Sequence, residues 1–450
     1  MKDLTVGHPG KVLFGYALPL FASVIFQQLY NIADSFVAGQ YIGTAALAAV
    51  GNAYEITLIY IALAFGCNVG TSVVCARLFG QRDHAGLRTC ITTALLFAGT
   101  LGVALTLAGE VLSGWLLAVI NTPDELMRDS QVYLDIYLLS YVFLILYQVA
   151  TGIFSALGDS RTPFFFLAAS SIANIFVDIL FVRSFHMGVE GVAWASFLCQ
   201  SISGTVAVIA VARKARSIRT GSKPALFSAS MLRKILSIAA PSAVQQSCIS
   251  LGNIAIQYVI NGFGTSAVGG YAAAVKLNNM CITSVTALGN GMSNFTSQNL
   301  GAGKHSRIRQ GCRHGLVQGI AFAAVFTLLY QALCQPLLGM FITPGTGAEA
   351  QAVAGEALKI GTLFIRIITS FYPVIAIKLI VDGVLRGASL MNQFMIATLT
   401  DLALRVALVY ALAPRFGILG VWLAWPIGWV LGVLLSVMFC RRWMRAQPRT

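Results

Sequence analysis

Gly188 to Ala195 reads GVEGVAWA, and Gly417 to Ala424 reads GILGVWLA, 229 residues later. The same offset carries Gly158 onto Gly387. Upstream the offset is 221: GTAA from Gly43 returns as GTSA from Gly264, and Gly70 and Gly80 return as Gly291 and Gly301. Pro19 has its counterpart at Pro241. Each match is short, but they keep their order along the whole chain. Weak, ordered self-similarity of this kind marks a duplicated architecture.

Composition says what was duplicated. Of 450 residues, 57% are hydrophobic and only 10% charged, where a soluble domain carries about 25% charged residues. The mean hydropathy is +0.78. Such a chain cannot cover itself with polar groups, so its solvent is lipid. The apolar runs are about 20 residues or longer, the length of a spanning helix and not of a barrel strand. Twelve spans are predicted, near 12–38, 46–76, 89–111, 130–154, 163–184, 190–212, 235–260, 267–298, 314–335, 353–385, 394–413 and 418–440. With the N-terminus placed in the cytoplasm, 22 of the 30 Lys and Arg fall in inside segments, 4 in outside segments and 4 within spans. That asymmetry is the positive-inside bias, and it puts both termini in the cytoplasm.

The fold class expected is therefore an all-α integral membrane protein, with twelve transmembrane helices in two six-helix bundles. Six is even, so both halves enter from the same side and the pseudo-two-fold repeat is parallel. The N-terminal lobe is expected over 1–212, a basic cytoplasmic linker over 213–234, and the C-terminal lobe over 235–450. Parallel repeats suit alternating access around a cavity near the membrane midplane.

Other readings of the composition fall away. The formal charge of +14 is spread over short loops, so no nucleic-acid partner is expected. The nine cysteines are scattered singly, with no metal-ligand or disulfide spacing. The N-terminus lacks a signal-peptide layout. No GxxxxGK[ST], HExxH or GxSxG occurs, so neither an ATP-driven pump nor an enzyme is indicated.

Ionisable groups inside spans are the functional candidates, because a charge at the bilayer centre costs at least about 2.5–3.5 kcal/mol. Asp34 ends span one in QQLYNIADSF, and Asn174 and Asp178 share one face of span five at i,i+4. No Lys or Arg sits beside either aspartate. A carboxylate so placed must take up a proton or hold a cation, which is what coupling cation export to proton entry requires. The alternative is that each braces neighbouring helices through hydrogen bonds. Glu55 and Asp135 lie nearer the membrane surface. In the second half, Lys378 and Asp382, and Asp401 and Arg405, are i,i+4 couples that can pair within their own helices. Lys276 and Arg366 have no such partner. Tyr133, Tyr137 and Tyr141 form a stripe, either facing an organic cation through ring faces or packing at the membrane interface. Gln27, Gln28, Asn31, Gln245 and Gln246 either line a cavity or join helices.

Several of these stretches together resemble the multidrug and toxic compound extrusion (MATE) family. They are Pro19 followed by Asp34, the GTAALAA run, Gly70 with Arg77-Leu-Phe-Gly80, ALGDSRTP from Ala156 to Pro163, Asn174-xxx-Asp178, and Gly188-xx-Gly191-Val-Ala-Trp-Ala. The resemblance covers nearly the whole chain and is closer to the DinF-like than to the NorM-like branch. It implies a V-shaped pair of lobes, monomeric, in a bacterial or archaeal plasma membrane. It implies export of amphiphilic, usually cationic compounds by antiport with H+ or Na+, and no other cofactor. The coupling residues it implies are Asp34, Asn174, Asp178 and Ser196, with Na+ an alternative occupant at the first three. Substrate contacts are expected from Gln27, Gln28, Asn31, Tyr137, Tyr141 and Gln245, and bending at Pro19. Span seven, PSAVQQSCIS from Pro241, lacks the acidic residue of the NorM-like branch. A flippase for lipid-linked precursors shares the broader architecture; it would want Lys276, Arg366 and Lys378 unpaired and facing the cavity.

Overall fold

A computed structural model of the chain describes residues 3–37, 44–120, 122–221, 223–342 and 347–448, without the side chains of 29–37, 44–48, 52 and 55. The helices are α1 (Pro9–Val37), α2 (Thr44–Gly80), α3 (His84–Val119), α4 (Asp124–Ala156), α5 (Arg161–Ile179), α6 (Val189–Ser217), α7 (Ala229–Asn261), α8 (Thr265–Gly301), α9 (His305–Gly339), α10 (Ala348–Thr369), α11 (Tyr372–Gly387), α12 (Met391–Phe416) and α13 (Ile418–Ala446). A π-helical turn, Leu180–Ser184, continues α5. No strand occurs among the described residues.

Each predicted span meets one long helical segment, with one span broken. The stretch expected as a single helix over 353–385 is α10 and α11, bent by 55°. The cause is local: Pro373 has no amide to donate to the preceding turn, and it sits in the first turn of α11, where that missing donor costs nothing. Among the described residues nine helices are long and apolar enough to cross a membrane, ten with the bent pair. The helices outside that group, α7 and α8, have 33 and 37 residues but carry many polar side chains. α8 turns them inward: Ser293, Asn294, Thr296, Ser297, Gln298 and Asn299 are all buried. Polar groups at membrane depth are tolerated where protein, not lipid, satisfies them. The outward faces are apolar, as at Val111, Phe176 and Leu328.

Contacts divide the chain into two compact units. The first comprises Met1–Val6, Leu18–Ser247 and Ser297–Gly303; the second comprises Gly7–Ala17, Cys248–Thr296 and Lys304–Thr450. The expected linker 213–234 thus lies inside the first unit. Two of the divisions fall within α1 and α7, close to the repeat-related Pro19 and Pro241.

Within the first unit, α2 and the end of α8 meet without side chains between them. A Cβ on Gly80 would lie 2.0 Å from the Gln298 carbonyl oxygen, and one on Gly301 would lie 2.2 Å from that of Arg77. Arg77 and Gln298 are themselves 221 residues apart, so the contact maps onto itself under the repeat. Gln298 also accepts from the Leu4 amide at 2.9 Å and donates to the Ala156 carbonyl at 2.7 Å. In the second unit the core is aromatic: Tyr271 stacks on Trp422 at 5.5 Å, and Phe364 packs against Trp422 at 4.7 Å. Asn294 donates to the Tyr16 hydroxyl at 3.0 Å, which ties the start of α1 into this unit.

Candidate functional site

α5 is built inside out. Its exposed face carries Phe165, Ile172 and Phe176. Its buried residues are Pro163, Ser171, Asn174 and Asp178. The last three follow 3- and 4-residue steps, so one helix face is polar and turned away from lipid. Asp178 is fully buried and Asn174 is 2% exposed. A soluble helix hides its apolar stripe. This one, in hydrocarbon, hides its polar stripe because lipid offers it no hydrogen bonds.

α6 brings a further side chain to this face. Ser196 is buried, and Cys199, one turn further on, lies beside both Asn174 and Asp178. The sequence reading named Asn174, Asp178 and Ser196, all of which are buried, and missed Cys199. Its only signal was a position one turn from Ser196, which is weak. The π turn begins two residues after Asp178. Such wide turns recur at functional sites, because they re-aim side chains at the cost of regular hydrogen bonding.

Asp34 and Asn31 lie on α1, but their side chains, like that of Glu55, fall outside the described residues. Asp135 on α4 lies close to Glu110 on α3. Gln27 is exposed, and Gln28, Gln245 and Gln246 are half-buried. Pro19 is half-buried inside a continuous α1, and its carbonyl accepts from Ser23 Oγ at 2.9 Å. Of the tyrosine stripe, Tyr141 is fully buried and donates to the Tyr60 carbonyl at 2.9 Å, bracing α4 on α2. Tyr137 is half-buried and stacks on Tyr133, with ring centroids 6.4 Å apart.

The second unit has its own polar group. Lys378 and Asp382 form the expected pair, 2.6 Å apart and both buried. Asp401 and Arg405 do not pair: no ion pair within 4.0 Å joins them, and the Arg405 guanidinium lies 4.4 Å from the centre of the Trp425 ring. Spacing permits an i,i+4 pair; an aromatic face within reach took this cation instead. Lys276 lies 5.3 Å from the Phe341 ring centre, and Arg366 is exposed.

The MatE family model matches this chain twice, over residues 19–180 and 241–411. The two matches begin at the paired prolines, so the duplication read from short motifs is also a duplication of the family's own unit. A probable multidrug resistance protein, YpnP of Bacillus subtilis, is 26% identical over 397 residues, covering 88% of this chain and 86% of that one. A FAD transporter of Shewanella oneidensis is 27% identical over 350 residues, 74% of this chain and 75% of its own length. The NorM protein of Thermotoga maritima and the DNA damage-inducible protein F of Escherichia coli are each 22% identical, which does not separate the two branches. Among solved structures, a MOP superfamily transporter from Pyrococcus furiosus superposes with TM-score 0.91 at 21% identity, covering 100% of this chain and 98% of that one. A multidrug resistance MATE family transporter in an outward-facing conformation also gives TM-score 0.91 at 21% identity, covering 100% of this chain and 99% of that one. At that identity the likeness is one of fold. With both halves matched by one family over most of their length, this chain is a transporter and not an enzyme, and it belongs to the MatE family.

Proposed function

We propose that this chain is a secondary active exporter of amphiphilic organic cations, driven by H+ or Na+ moving inward through carboxylates of its N-terminal lobe. The observation that carries the reading is the buried polar face of α5, set on a helix whose other faces are apolar and exposed. Asp34 and Asp178 are the exchangeable acids. Each is neutralised in turn by the small coupling ion and released from it as cargo leaves. Asn174 and Ser196 supply neutral oxygens and donors around them, a set that takes either a proton or a sodium ion. Gln27, Gln28, Asn31, Tyr137, Tyr141 and Gln245 are the proposed cargo contacts, Tyr137 more directly than the fully packed Tyr141. Bending at Pro19, where α1 lacks a backbone donor, would change the course of the helix that carries Asp34. The protein works as a monomer in the plasma membrane, with both termini cytoplasmic, as the charge asymmetry supports. The names of YpnP and its relatives favour drug-like cargo.

An anionic lipid-linked or nucleotide cargo would instead need unpaired basic groups. Of the three basic residues that reading relies on, Lys378 is bound to Asp382, which speaks against it, while Lys276 lies over the Phe341 ring and Arg366 is exposed. The test is export of a fluorescent lipophilic cation from proteoliposomes, with pH and sodium gradients imposed separately. Asp178→Asn and Asp34→Asn should each lower gradient-driven export at least about tenfold, the scale of one lost charge-assisted interaction, while the protein stays folded. Undiminished export by the double variant would overturn the proposal.

A further inference from the structure

Five charged side chains of the second unit take no part in that coupling site, and each is more than nine-tenths buried. They are Lys378, Asp382 and Arg386 on α11 and Asp401 and Arg405 on α12. Lys378 Nζ donates to Asp382 Oδ2 at 2.6 Å and to Thr398 Oγ1 at 3.1 Å. Ser436 Oγ, on α13, donates to the other oxygen of the same carboxylate at 2.6 Å. Asp401 lies within electrostatic reach of Lys378, Asp382 and Arg405, and its Oδ1 has no hydrogen-bond partner among the described residues. α13 yields space for the group twice. A Cβ on Gly432 would come within 2.7 Å of Lys378 Cε, and one on Gly428 within 2.7 Å of Asp401 Oδ1.

Without the lysine, an oxygen of the Asp382 carboxylate and the Thr398 hydroxyl would face a gap of ammonium size, with Asp401 close by, since Lys378 Cε and Asp401 Cβ both lie against Gly432. Arg386 and Arg405 lie within electrostatic reach of Asp382 and Asp401 respectively, but of these three cations only Lys378 is hydrogen-bonded to the Asp382 carboxylate. Buried carboxylate and hydroxyl oxygens hold small cations. The distances of 2.6 and 3.1 Å are those of N–H···O contacts. We propose that the C-terminal lobe contains a monovalent-cation site at Asp382, Thr398 and Asp401 that the chain fills with its own Lys378 ammonium, so that free cations are excluded from it. A tethered ligand competes at an effective concentration of about millimolar or far above, and no free ion has to be captured. The two lobes then differ in kind: the acids of the first are open to exchange, and those of the second carry a permanent occupant. A plain structural brace predicts otherwise, since apolar residues can replace a buried ion pair without loss and no cation would then matter.

Lys378→Ala removes four atoms, Cγ, Cδ, Cε and Nζ, which together are propylamine. The full-length protein is purified in detergent at pH 8, and its thermal midpoint is measured in propylammonium, potassium or sodium chloride, with choline holding the ionic strength. Asp34→Asn and Asp178→Asn are both present throughout, so ions at the acids of the first lobe do not contribute, and the readout does not depend on what the transporter exports. That double-variant background by itself should give one midpoint in all four salts. With Lys378→Ala added, the midpoint should fall in choline and recover by about 5 °C or more in propylammonium, with saturation. An added variant that responds to no cation overturns the proposal. So does an equal response from Lys378→Met/Asp382→Leu, which has no site left. If Lys378→Ala aggregates in choline, monodisperse yield after solubilisation with propylammonium is the readout. Aggregation under every cation, while Lys378→Met/Asp382→Leu stays monodisperse, also counts against it.

Discussion

At the scale of single residues, burial decides what each polar group does. Asn174 and Asp178 are the same kind of i,i+4 couple as Lys378 and Asp382, yet the second couple joins opposite charges and the first holds a single acid. An amide carries no charge to cancel that of the carboxylate, which is why the coupling ion is assigned to the first couple and not to the second. Asn174→Leu keeps the volume and removes the amide. It should weaken the apparent affinity for the coupling ion by about tenfold or more, the worth of a hydrogen bond to a charged group, with a smaller change in the affinity for cargo. Ion titrations of export rate in proteoliposomes would show the split. Tyr141 plays a different part. Its hydroxyl is consumed by the Tyr60 carbonyl, so Tyr141→Phe should cost about 1 kcal/mol of stability, read as a lower thermal midpoint. A collapse of export with an unchanged midpoint would instead put the hydroxyl on the cargo.

At the scale of elements, close helix crossings fix what small residues are for. Gly80 and Gly301 bring α2 and the end of α8 to backbone contact, and a Cβ at either would meet a carbonyl oxygen at 2.0 or 2.2 Å. Neither backbone can move aside like a flexible side chain. Gly80→Ala or Gly301→Ala should therefore cost at least the 1–3 kcal/mol or so of overpacking and lower the yield of monodisperse protein. Gly188→Ala, where nothing lies within 4 Å, should leave that yield intact; equal yields for all three would refute the crossing. α1 poses the opposite question, because it is continuous through Pro19 although the proline removes a backbone bond. Pro19→Ala should raise the thermal midpoint and slow export, if bending there belongs to the cycle. Full export from a straightened helix would remove the hinge.

At the scale of the whole molecule, the scaffold is duplicated and the chemistry is not. At the offset of 229, Asp178 falls on Ala407, while Lys378 and Asp382 fall on Val149 and Ile153. The family unit occurs twice along the chain, over 19–180 and 241–411, and the two occurrences carry different polar groups. Asp382→Asn leaves Lys378 buried without its counter-charge, which costs about 3–5 kcal/mol. It should thus lower stability sharply, while the number of ions moved per cargo, measured from charge flux in vesicles, stays at its native value. A changed stoichiometry would assign coupling to the second lobe as well.

The sequence by itself determined the helical class, the twelve segments and the duplication. These rest on the length of apolar runs and on short motifs kept in order, and both are local properties of the chain. It also determined that Asn174 and Asp178 share a face, because helical periodicity alone puts them there. Only the tertiary structure decided that the face is buried, that Cys199 lies beside it, and that Arg405 prefers Trp425 to Asp401. It alone placed Thr398 and Ser436 around the Lys378–Asp382 pair, and divided the chain inside α1 and α7 and not at the basic linker. Those outcomes depend on which surfaces of distant helices meet, and periodicity along one helix carries no information about the neighbour it will touch.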